Sequence, residues 1–142
     1  MREDGRKLKP IRGAEKNMQR MNQSLWAAAL STGNGALLFL LPEIGMGRLL
    51  HMPTSVPMLY SLLVAYILLV FTIIYFWQAS KTNIDPAILF FCALGKAGAF
   101  VIAMTLWLTN HIAGTVFAAM FLDGVFAAYW LLYLWQHRRS KH

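Results

Sequence analysis

Charge and sulfur are what this chain has least of. Of its 142 residues only 13% are charged, about half the share in ordinary soluble domains. Cysteine occurs once, at Cys92, which excludes a disulfide framework, a CxxC metal site and c-type haem attachment. No GxSxG, P-loop, GxGxxG, HExxH or EF-hand pattern is present, and no catalytic residue is assigned. No two histidines fall at one depth on facing apolar runs, which argues against bis-His haem. Disorder and a soluble domain are excluded by what replaces the missing charge. Apolar residues make up 58% of the chain, and they are gathered into four long runs rather than spread as stripes.

The runs cover residues 24–41, 57–78, 86–109 and 112–135. A span needs about 20 apolar residues to cross about 30 Å of hydrocarbon. Backbone groups in lipid must pair within the segment, so each run is expected to be a helix. The breaks carry turn chemistry. Pro42 ends the first run, and Pro53 and Pro57 bracket the approach to the second. Residues 81–86 form a polar turn with Pro86 at the first helical position. Thr109, Asn110 and His111 make a tight turn, so the last two runs form an antiparallel hairpin. The expected fold is all-α, a four-helix transmembrane bundle, with a basic leader at 1–23, a membrane domain at 24–136 and a basic tail at 137–142. A short interfacial helix with Leu49 and Leu50 inward and Arg48 outward is expected between 44 and 52.

Lysine and arginine set the orientation. Ten of the thirteen cations lie in the leader and tail, and Lys81 lies in the second loop. The first loop has only Arg48 and the third has none, so both termini are expected on the cytoplasmic side. Trp26, Trp77 and Trp135 then mark the inner boundary and Trp107 the outer. The first run is expected to stay as a span rather than be cleaved, since its basic region is too long for a signal peptide and its exit lacks a small-x-small pattern. The formal charge of +7 is accounted for by topology and by contact with anionic lipid headgroups. Nucleic acid is not an expected partner, because no binding motif or aromatic interleaving accompanies the cations.

Two ionisable residues interrupt the runs, Lys96 and Asp123. Each costs roughly 2.5–3.5 kcal/mol at mid-span on insertion scales, so they are expected to face inward and meet. Counting back from the turn at 110–111 puts them within roughly 3 Å along the axis. Small residues around them (Gly95, Gly98, Ala119 and Ala127 among others) let backbones approach. Asn34 and Tyr66 lie near the same depth and are expected as hydrogen-bonding neighbours. The cluster is either structural or a ligand or proton site, and mutual neutralisation makes the structural role the simpler account. Glu43, His51 and His111 all fall at the outer end, but with no ligand spacing they make only a weak metal set. Cys92 shares a helix face with Lys96 and is best read as a small hydrophobe.

The segments GALLFLLPE at 35–43, LGKAGA at 94–99 and FLDGVF at 121–126 resemble the DoxX-like families of small four-span bacterial membrane proteins, over about residues 24–136. The resemblance implies a four-helix bundle in a bacterial inner membrane, and a link with quinone-side redox subunits or oxidative-stress systems; it carries no catalytic residue over. Taken together, the leading expectation is a non-catalytic accessory or interaction subunit of a membrane complex, with other membrane subunits or a second copy as partners. The alternative is a small redox or transport component that binds a quinone-like or other apolar ligand beside Lys96 and Asp123. An enzyme of the sterol-isomerase kind would need several deep carboxylates, and only Asp123 is deep. No cofactor is assigned.

Overall fold

A computed structural model describes residues 12–41, 43 and 56–139. Among the described residues the chain is all-helical, with four helices and no strand. They are α1 (Arg12–Leu40), α2 (Met58–Ala79), α3 (Pro86–Leu108) and α4 (Gly114–Arg139). The last three are long and apolar enough to cross a membrane. The expected interfacial helix at 44–52, together with His51, lies outside the described residues.

Local chemistry sets the ends. Pro57 is the N-cap of α2. Asp85 caps α3, its carboxylate accepting from the amides of Ala87 at 2.9 Å and Ile88 at 3.4 Å, with Pro86 in the first turn where no amide proton is needed. The α3–α4 turn closes by a Schellman pair. His111 N–H donates to the Leu106 carbonyl at 2.8 Å and Asn110 N–H to the Trp107 carbonyl at 3.0 Å. Asn110 takes the left-handed conformation this closure requires, with φ 58°. The closure ends at His111, and the Ala113 carbonyl accepts from the amides of Val116 and Phe117, so α4 begins at Gly114 rather than at 112 as the hydropathy suggests. At its other end α4 runs on to Arg139 and carries His137, Arg138 and Arg139 in its last turn, where cations meet the negative end of the helix dipole.

The basic leader is expected to be helical from about residue 14, and the first helix differs from expectation in running on from it without interruption. It begins at Arg12, with no break where the basic leader meets the apolar run at 24. Its 29 residues extend roughly 43 Å at helical rise, longer than the hydrocarbon layer alone. The buried residues explain the continuity. Met21, Leu25, Ala28, Ala29, Thr32 and Ala36 recur every three or four positions, all at 5% exposure or less, forming one inward stripe that starts inside the leader.

Adjacent helices run antiparallel. Trp26 packs edge-on against Phe76 at 4.5 Å between ring centroids, and a Cβ on Gly33 would touch Thr72, joining α1 to α2. Phe100 meets Phe117 and Phe121 across α3 and α4. The two hairpins meet through large side chains at the end of the bundle bearing the basic residues. There the rings of Tyr75 and Trp130 pack at a tilt, 5.5 Å between centroids, within a core that includes Met21, Leu25, Leu89 and Cys92. Trp130 is fully buried, and its indole N–H donates to Ser24 Oγ at 3.0 Å, which satisfies the polar handle that burial would otherwise orphan.

Candidate functional site

Lys96 lies midway along α3, about ten residues from its start. At helical rise that is roughly 15 Å, half the thickness of a hydrocarbon layer. Its ammonium cannot readily reach water at either end, and it is only 5% exposed. Lys96 Nζ donates to Asp123 Oδ1 of α4 at 2.5 Å and to Thr32 Oγ1 of α1 at 2.8 Å. The ring centroids of Tyr75 on α2 and Phe126 on α4 lie 5.6 and 5.9 Å from the same nitrogen, within cation–π range. The ammonium is therefore enclosed by a carboxylate, a hydroxyl and two aromatic rings, and those partners together with Lys96 represent all four helices.

Glycines next to three of these residues allow the approach. Gly33 follows Thr32, Gly95 precedes Lys96 and Gly124 follows Asp123. A Cβ on Gly95 would come to 3.2 Å from Phe71, and one on Gly124 to 2.9 Å from Phe100. A side chain at Gly124 would force the Phe100 ring, and with it α3, away from α4.

Of the four residues expected to cluster, Lys96 and Asp123 are in contact; Asn34 and Tyr66 are not part of the group. Asn34 is exposed and Tyr66 is 65% exposed. The reason is angular. Each residue turns a helix by about 100°, so Asn34 is about 200° around α1 from Thr32, and Tyr66 is about 180° around α2 from Tyr75. For Asn34 the depth matches and the face does not; Tyr66 also lies nine residues, roughly 13 Å along α2, from Tyr75. The signal for Thr32 was present in the stripe of small residues Ala28, Ala29 and Ala36 that it continues. Tyr75 had no such signal, because α2 is apolar on all sides and its period does not single out an inner face.

At the outer end, Glu43 and His111 are both exposed, and His111 Nδ1 lies 2.9 Å from its near neighbour Thr109 Oγ1. Among the described residues no three His, Cys, Asp or Glu side chains are gathered to hold a metal. Cys92 is a buried free thiol forming part of the floor of a groove of about 310 Å³ between α2 and α3. A second groove, of about 500 Å³, lies between α3 and α4 at the basic end. Neither groove is lined by Lys96 or Asp123.

Fold and site together define a small helical bundle of membrane-protein character, organised around one neutralised lysine. No family model, curated protein or solved structure matches this chain.

Proposed function

We propose that this is a four-span integral membrane protein acting as a non-catalytic accessory or interaction subunit of a larger membrane complex. In this reading α1 is the fourth span. Its Ser31, Thr32 and Asn34 lower its hydropathy below that of the other three helices, and the burial of Thr32 against Lys96 removes the cost of its hydroxyl. Both basic ends lie on the cytoplasmic side by the excess of lysine and arginine there. With the resemblance to the DoxX-like families, the membrane is a bacterial inner membrane.

The observation that carries the proposal is the closure of the buried cluster. Lys96 directs its donors at Asp123 and Thr32 and is covered by aromatic rings. A group enclosed in this way holds helices in register and offers little to a ligand. Chemistry with partners is left to the outer faces. On α2 a continuous apolar surface that includes Leu59, Leu63, Tyr66, Val70 and Ile73 is exposed, suited to lipid or to a neighbouring membrane helix.

Purification of the full chain from native membranes in mild detergent tests the proposal. Reproducible co-purification of a defined set of larger membrane subunits is the expected result. A monodisperse small particle that retains a stoichiometric quinone, released by Lys96→Met, would overturn it in favour of ligand binding.

A further inference from the structure

The groove between α3 and α4 has a composition that the buried cluster does not explain. Its walls are Phe90 and Phe91 from α3 and Leu131 and Leu134 from α4, and its mouth carries His137 and Arg138. Phe91 is 65% exposed and Leu131 40%, so the walls are open from the side. The mouth is flanked by Trp135, over whose ring the Arg139 guanidinium lies at 3.7 Å. Outside the groove, on α2, Lys81 similarly covers Trp77 at 3.5 Å. Aromatic rings bearing cations are the side chains that settle at headgroup level. From Arg138 the walls descend past Leu131, roughly 10 Å along α4 at helical rise.

We propose that this groove is a binding site for one anionic phospholipid, with its phosphate at Arg138 and an acyl chain between Phe91 and Leu131. Charge complementarity selects the occupant. The mouth presents Arg138 beside Arg139. Among the described residues at that end, Asp85 turns its carboxylate to the amides of Ala87 and Ile88. An apolar slot beneath a basic mouth matches a molecule that is anionic at one end and hydrocarbon at the other. A volume of about 500 Å³ is in the range of sites that enclose part of a small amphiphile. A neutral apolar ligand would bring no negative charge to Arg138, and an inorganic anion would leave the slot unfilled. The site is independent of the accessory role proposed above.

Native mass spectrometry of the full chain, delipidated in mild detergent and offered equal amounts of phosphatidylglycerol and phosphatidylcholine with identical acyl chains, tests the assignment. One phosphatidylglycerol is expected to be retained per chain in preference to phosphatidylcholine. Arg138→Gln, at an exposed position, should lower phosphatidylglycerol retention about fivefold, the weight of one basic residue at an anionic surface, and leave phosphatidylcholine unchanged. Leu131→Trp, which fills the slot, should lower retention of both. Arg20→Gln, on α1 outside the groove, should change retention less than twofold. Equal retention of the two lipids by the unaltered chain overturns the site. An Arg20→Gln loss as large as that of Arg138→Gln also overturns it, because the attraction then belongs to the basic end in general and not to the groove.

Discussion

Removal of Asp123 should damage this protein more than removal of Asp123 and Lys96 together. In the intact bundle the ammonium is met at 2.5 Å by Asp123 and at 2.8 Å by Thr32. Its side chain is 6% exposed, against 17% for the carboxylate. Asp123→Asn leaves the ammonium with neutral acceptors only, in a place it cannot leave by snorkelling. Breaking a buried pair in this way costs about 3–5 kcal/mol. Lys96→Met strands the carboxylate in the same way and should also cost more than the double variant. The double variant Lys96→Met with Asp123→Leu strands nothing. Replacement of buried pairs by apolar residues is often neutral or stabilising by about 1–4 kcal/mol. The double variant is therefore expected to recover at least about 3 kcal/mol relative to Asp123→Asn, well beyond the scatter of additivity. Unfolding of the purified protein from mixed micelles by increasing anionic detergent, followed by tryptophan fluorescence and circular dichroism, gives the free energies. Singles and double unfolding alike would show that the pair does not organise the bundle.

Three further outcomes follow from the same geometry. Thr32→Val keeps shape and removes the second acceptor from Lys96; it should cost about 1.5–3 kcal/mol, as for hydrogen bonds to charged groups, and a loss under about 0.5 kcal/mol in the same unfolding assay would show that the hydroxyl is dispensable. Gly124→Ala places a methyl group 2.9 Å from the Phe100 ring; a loss of about 1–3 kcal/mol from overpacking is expected, relieved by adding Phe100→Leu, and lack of relief would locate the strain elsewhere. Asp85→Ala removes the cap of α3 and should cost about 0.5–2 kcal/mol, with faster hydrogen exchange confined to the amides of Ala87 and Ile88; protection unchanged at both would show the cap to be idle.

Among the described residues, the sequence by itself determined the four long helices and most of their ends. A run of about 20 apolar residues has few other ways to satisfy its backbone in lipid, and Pro57, Asp85, Pro86 and Asn110 fix conformations through local bonds that need no distant partner. Lys96 and Asp123 could be paired by counting, because a tight turn ties the depth of one helix to that of the next through a fixed rise per residue. What counting could not supply was rotation. Which face of α1 and α2 turns inward is decided by how side chains from all four helices fill one space, so Thr32 and Tyr75 stand by the ammonium while Asn34 and Tyr66 face out. The same holds for the first helix. Its hydropathy begins at 24, but Met21 is buried against the other helices, and only that packing carries the core back into the basic leader. Depth is a property of one chain segment, whereas facing is a property of the assembled bundle, and a helix apolar on every side carries no mark of it until its neighbours are in place.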